Sequence, residues 1–276
     1  MLLGSWLAAA TSPIWGFLHP GYAGSFVAII LFGVLVYIMI ARARGGAPMR
    51  PIHPLPGLDA LDEAIGRSTE MGKPTLFVMG IGDTTDPQTI TSYPVLAHVA
   101  RECARYDTRL IQPNIDPIVY SVNDAIVRES YLEAGRPDAY NPEDVRFLTS
   151  FQFAFAGGVW QIMEHERPAA CVLYGDFYAE SMMIVEMAGI IDSVSIGATA
   201  NVTQIPFFAA ACDYFLIAEE MYAASAYISK EPGLTGTIVG EDLYKFIMLA
   251  VIILGAVWAS FLGPKGVPGF TSFFKL

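Results

Sequence analysis

No Asp or Glu occurs before residue 45. Charge of either sign is scarce throughout. Only 16% of the residues are charged, against about 25% in an ordinary soluble domain. With hydrophobic residues at 54%, part of the chain is expected to face something other than water. Positive charge is thin in the middle of the chain. From 46 to 240 there are 25 acids and 11 bases, a formal balance of −14. Phosphate backbones attract basic faces, so nucleic acid is excluded as a partner. The negative balance is accounted for by solubility, since like charge keeps domains apart.

Cysteine and histidine are also few. Cys103, Cys171 and Cys212 lie far apart, form no CxxC pair and sit in apolar surroundings. Core packing is expected of them, not a disulfide framework or a metal site. Among the four histidines, His19 and His53 fall outside the central domain, while His98 and His165 read as ordinary helix residues. No two are spaced i, i+4, and neither H-E-x-x-H nor C-x-x-C-H occurs. No metal and no cofactor is therefore expected. The run Gly80-Ile-Gly-Asp-Thr-Thr85 is not G-x-G-x-x-G, so a dinucleotide fingerprint is lacking. G-x-x-x-x-G-K-[ST] and G-x-S-x-G are lacking too.

What the chain does have is two long uncharged runs. Tyr22 to Ala41 has twenty residues, about 30 Å of helix, the thickness of a hydrocarbon core. Arg42, Arg44 and Arg50 follow it, whereas residues 1–21 hold no Lys or Arg. The positive-inside rule then puts the Arg side in the cytoplasm. The second run, Phe246 to Leu262, is seventeen residues, near the short limit of about 17. It is apolar all round, which favours spanning over lying flat in the interface. Two spans leave both termini on the outer side. Residues 1–21 read as an interfacial segment with Trp6 and Trp15 at headgroup level, not as a signal peptide, because no positive n-region precedes them. Neither span holds an ionisable residue, so both read as anchors and not as a transport path. Gly24 with Ala28, and Gly255 with Ala259, are small pairs that let helices approach.

Between the runs, residues 42–56 form a Pro-rich linker and 263–276 a tail. Residues 57–241 alternate helix and strand. Helices are expected near 57–71, 88–106, 117–134, 151–165, 179–191, 202–211 and 219–229. Strands are expected at Thr75–Gly80, 108–112, 145–149, 170–174, 193–196 and Tyr214–Ile217. Apolar strands between amphipathic helices predict an α/β domain, a mostly parallel, doubly wound Rossmann-like sheet of about six strands. Residues 135–144 read as a surface loop.

Such sheets bind ligands beyond the carboxyl ends of their strands. That nominates Gly82, Asp83 and Thr84 after the first strand, Asn114 and Asp116 after the second, and Asp176 and Glu180 after the fourth. Thr199 and Asn201 follow the fifth, and Glu219 the sixth. Each has a plainer reading. Gly82 permits a tight turn; Asp83, Thr84 and Asn201 cap helices; Glu180 satisfies a helix dipole. Asp176 and Glu180, with two aromatics between them, are the pair best placed for cation binding or acid–base work.

The segment Leu58-Asp-Ala-Leu-Asp-Glu-Ala-Ile-Gly-Arg-Ser-Thr-Glu-Met-Gly-Lys-Pro-Thr-Leu-Phe-Val-Met-Gly80 resembles the opening of a bacterial family known only as a domain of unknown function. The resemblance covers most of the chain. It implies membrane-anchored α/β domains with terminal hydrophobic helices, in a bacterial inner (plasma) membrane, and implies no activity. Plain spans and missing catalytic motifs point to a structural or ligand-binding subunit of a membrane assembly. Its partners are then the lipid bilayer and further copies or other membrane subunits. The alternative is a tethered enzyme acting on a small polar substrate or nucleotide at the strand ends.

Overall fold

The computed structural model describes residues 23–46 and 56–262. The expected interfacial segment 1–21, the proline-rich part of the linker and the tail 263–276 lie outside them. The chain divides into two compact units, residues 52–230 and residues 1–51 with 231–276.

The larger unit is a three-layer α/β domain. In chain order it comprises α2 (Pro56–Met71), β1 (Thr75–Gly80), α3 (Pro87–Arg105), β2 (Leu110–Asn114), α4 (Pro117–Glu133), β3 (Val145–Phe147) and α5 (Gln152–Glu166). There follow β4 (Ala170–Asp176), α6 (Glu180–Ile190), β5 (Val194–Thr199), α7 (Ile205–Ala211), β6 (Tyr214–Ile217) and α8 (Glu219–Ser229). The six strands are ordered β3-β2-β1-β4-β5-β6 and all pair in parallel. Every residue of β1, β2 and β4 is buried. That is why β1 and the start of β4 are apolar on both sides instead of alternating, while β2 ends in Gln112 and Asn114, which bond to each other. One face packs on α2, α3, α4 and α8, where Leu61, Leu96, Val127 and Met221 meet Phe77 and Tyr174. The other face packs on α5, α6 and α7, where Phe155, Ile184 and Phe208 meet Leu76 and Leu173.

Local signals set the helix starts. Both α3 and α4 open on Asp-Pro: the Asp86 carboxylate accepts from the amides of Gln88 and Thr89, and Asp116 accepts from those of Ile118 and Val119. Proline at the first helical position loses nothing, because that N–H has no partner within the helix. The structure shifts some expected boundaries. β2 starts two residues later, so Asn114 belongs to the strand. The β1–β2 ladder ends at Leu76↔Ile111, ahead of Pro113, whose missing N–H therefore costs it no bond. β4 and β5 run on to Asp176 and Thr199, so both residues stand on strand ends and not in loops. Residues 201–204 turn before α7 starts at Ile205. The expected loop 135–144 contains two short 3-10 turns, Pro137–Ala139 and Pro142–Asp144.

The strand order places a reversal at the centre. The chain winds outward from β1 to β3, returns to lay β4 beside β1, and winds the other way to β6. The connections that leave β1 and β4 therefore cross to opposite faces of the sheet, and it is at this reversal that doubly wound folds open a crevice. Two glycines bring these strands together there. Gly80 has φ +79° and Gly175 φ +151°. A Cβ on Gly80 would lie 2.0 Å from the Asp176 carbonyl oxygen, and one on Gly175 2.0 Å from that of Met79. No side chain fits either position, and the register shift they permit sets Asp176 opposite Gly80.

The smaller unit pairs α1 (Ala23–Arg44) with α9 (Pro232–Leu262). Close approach is made by Gly236 and Gly240. A Cβ on Gly236 would lie 2.8 Å from Ile40 Cα, and one on Gly240 3.1 Å from Val36 Cα. The Phe32 and Tyr244 rings meet with centroids 4.8 Å apart. The seam thus uses a Gly-x-x-x-Gly pair that precedes the apolar run of α9. Of the expected small pairs, Gly255 is buried, and Gly24 and Ala259 lie outside the described side chains. Among the described residues, one stretch, Phe26–Arg44, is long and apolar enough to cross a membrane.

Candidate functional site at the sheet reversal

Asp176, the last residue of β4, stands at the mouth of the crevice and is 7% exposed. Gln88, on the first turn of α3, holds it. Its Nε2 donates to Asp176 Oδ1 at 3.0 Å. Its Oε1 accepts from the Ala200 amide at 2.7 Å and from Thr199 Oγ1 at 3.2 Å. One amide side chain therefore ties the start of α3 to the ends of β4 and β5. The Ile81 amide adds a bond to the Asp176 carbonyl at 2.9 Å.

A second layer of bonds fixes Glu180, which is fully buried at the start of α6. It accepts from the Tyr178 amide at 2.8 Å and from Gln152 Nε2. Asn201 accepts from Thr203, as a turn-forming residue does, and donates to the Phe177 carbonyl at 3.0 Å. Gly82, Asp176, Glu180, Thr199 and Asn201 are thus gathered around one crevice.

The remaining sequence candidates have local duties. Asp83 closes a turn by accepting from the amides of Thr85 and Asp86 and from the Thr85 hydroxyl. Those bonds, the Thr85 hydroxyl first, hold its carboxyl below the ordinary range. Thr84 lies in that turn. Asn114 is buried in an amide network with Gln112 and Asn123. Asp116 caps α4. Glu219 opens α8 at the edge strand, beyond β5 from the crevice. Gln88, Gln152, Asp86 and Thr89 were not among the residues that sequence reasoning selects. Only the Asp-Pro helix start marks the region around Gln88, and it says nothing of Asp176.

Electrostatics at this edge has one sign. From the last residue of each strand to the first turn of the next helix stand Asp83, Asp86, Asp116, Asp176, Glu180, Glu219 and Glu220, and no Lys, Arg or His. Burial raises the Asp176 carboxyl to about 6, and the charges of Asp86 and Glu180 add to the shift. Hydrogen bonds from Gln88 and Tyr178 oppose it. The neighbouring Asp176 charge in turn raises the Tyr178 hydroxyl.

In a doubly wound sheet the phosphate of a nucleotide sits on the N-terminus of the helix after β1. Here that place is taken. The Asp86 carboxylate occupies the amides of residues 88 and 89, and Pro87 has no amide hydrogen to give. The N-terminus of α4 is filled in the same way by Asp116 and Pro117. Together with the acidic loops, this excludes a phosphate seated as in a dinucleotide fold. Among the described residues, no three His, Cys, Asp or Glu side chains gather as a metal site.

A cavity of about 350 Å³ lies elsewhere, around Asp107, Arg109, Tyr131, Arg136 and Asp144. Its cations are already matched. Arg109 Nη2 meets Asp144 at 2.6 Å and Nη1 meets Glu166 at 2.7 Å, while Arg136 meets Asp107 at 2.7 Å. That arrangement ties β3 and α5 to the start of β2.

No curated protein and no solved structure matches the chain. Residues 17–266 match the model of the family described as Domain of unknown function (DUF6754), and the chain belongs to that family.

Proposed function

We propose that this protein is a membrane-anchored, ligand-binding subunit of a membrane assembly. The observation that carries the reading is the surface of α1. Ile29, Ile30, Leu31, Val34 and Tyr37 are all exposed along a helix of spanning length. Apolar side chains so uncovered need lipid or partner helices around them. The apolar part of α9, with Phe246, Ile252 and Leu254 equally exposed, serves as the second span. Arg42, Arg44 and Arg50 keep the α/β domain in the cytoplasm of a bacterial inner membrane, with both termini outside. The domain then offers its crevice to a small cytoplasmic molecule, and the anchor holds it beside other copies or other subunits.

Washing membranes with alkaline carbonate tests the anchor, because an integral chain stays in the pellet. Release into the supernatant sinks that part of the reading. Native mass measurement after mild detergent extraction tests the assembly. A monomer alone sinks that part.

One observation favours a tethered enzyme as the second reading. A carboxyl raised to about 6 is matched to proton transfer near neutrality. Against it, the partners of Asp176 are Gln88 and Tyr178, and neither activates a nucleophile. Turnover of any bound compound that stops in Asp176→Asn but survives in Glu180→Gln would favour this second reading.

A further inference from the structure

The crevice contains a polar group that the fold leaves unsatisfied. Thr89 is fully buried, and its hydroxyl has no hydrogen-bond partner. A buried hydroxyl is ordinarily paired, and a threonine in a helix can turn to the carbonyl four residues back. This one points instead at Gly82. A Cβ placed on Gly82 would lie 2.3 Å from Thr89 Oγ1, and 3.2 Å from the Cβ atoms of both Asp86 and Asp176. The hydroxyl and the two acidic side chains therefore converge on the bare side of Gly82. Tyr178, 46% exposed, lies beside Asp176.

We propose that the crevice binds an organic ammonium group, held by Asp176 and by the Thr89 hydroxyl as acceptors once the Gly82 turn gives way. This rests on the ligand-binding reading above and names the class of ligand. Three features select a cation with hydrogen-bond donors. Asp176, Asp86 and Glu180 repel one another, and one positive charge relieves all three. An ammonium has three donors and no acceptor, which suits a site of acceptors. An exposed tyrosine ring beside carboxylates adds cation–π attraction. The filled helix N-termini and the acidic loops turn phosphate away.

The test is calorimetric titration of the full-length chain in detergent, with putrescine as the probe at constant ionic strength. Parallel titrations use AMP and inorganic phosphate. Putrescine binds, and its affinity rises from pH 5 to pH 7, because binding requires the ionised Asp176. The charged and titratable groups that face Asp176 are Asp86, Glu180 and Tyr178. Asp176→Asn weakens binding at least about tenfold, the loss of one charged contact of about 1.4 kcal/mol or more. Thr89→Val weakens it several-fold while its Tm stays level or rises, since the variant removes an unsatisfied hydroxyl. A purely structural threonine would instead leave binding unchanged. Equal putrescine affinity in Asp176→Asn and wild type overturns the proposal. AMP binding that putrescine does not displace overturns the ammonium class while leaving a ligand-binding crevice standing. Silence of all three probes overturns the ammonium site, and the anchor is then judged by its own carbonate test.

Discussion

Replacing Asp176 by Asn keeps the size of the side chain and an acceptor for Gln88, but removes the titration. The folded carboxyl, at about 6, lies above the ordinary 3.8. Between those values the folded protein holds a proton that the unfolded chain has released. Stability is therefore present at the low end of the window and is lost as pH rises from about 4 to about 6. A raise of this size amounts to no more than about 3 kcal/mol, and water at the crevice mouth reduces it. The Asn variant is expected to unfold like wild type near pH 4 and to be more stable by about 1–2 kcal/mol at pH 7. Urea unfolding at both pH values measures this, and no gain at pH 7 would show that the burial penalty is already offset. Asp176 and Glu180 were legible in the sequence because acids directly after an apolar strand stand out. Gln88 and Thr89 were not. An amide and a hydroxyl behind Asp-Pro read as ordinary first-turn residues. Their roles arise only when β4 and β5 are laid beside β1.

The elements were the most legible level. A continuous apolar run between Pro74 and Gly80 gave β1 its limits, since burial on both faces leaves no other composition. Boundaries slipped where a strand continued into polar residues, as β4 does through Gly175 and Asp176. The helix start at Asp86 joins local structure to the site, because its carboxylate both caps α3 and faces Asp176. Asp86→Ser keeps a capping oxygen and removes the charge. The cost in stability should stay under about 1 kcal/mol, and the Asp176 carboxyl should fall toward its ordinary value. A carbon-13 carboxyl titration by NMR checks this, and an unmoved Asp176 would mean that burial alone sets its shift. For the α1–α9 seam, sequence reasoning looked for small residues inside the apolar runs and did not select Gly236 or Gly240. Gly236 and Gly240 lie before the apolar run, yet they carry the close approach. A cysteine pair, Val36→Cys with Gly240→Cys, should oxidise readily, since a Cβ at position 240 would lie 3.1 Å from Val36 Cα. Adding Gly236→Leu should suppress that cross-link, because nothing larger than hydrogen fits 2.8 Å from Ile40 Cα. Undiminished cross-linking would show that the seam does not depend on Gly236.

Strand order is a property of the whole molecule, and it was hidden because each strand–helix–strand unit looks alike in sequence. The order matters more than any element, since it alone decides that the chain leaves the adjacent strands β1 and β4 toward opposite faces of the sheet. The proposed membrane orientation belongs to this scale too, since it rests on a charge difference across the first proposed span. Arg42, Arg44 and Arg50 follow that span, while residues 1–21 have no Lys or Arg to compete. If this difference holds the domain inside, Asn at all three positions leaves no bias to decide the insertion. A single cysteine at Ser150, in the exposed loop after β3, reports the side, once the native Cys103, Cys171 and Cys212 are replaced by Ala. With the arginines present, a membrane-impermeant maleimide should label Ser150→Cys only after the cells are opened. With the arginines removed, a fraction of the molecules should be labelled in intact cells. Labelling of intact cells while the arginines are in place would put the domain, and the crevice with it, on the outer side. The ligand would then have to be sought among extracellular molecules.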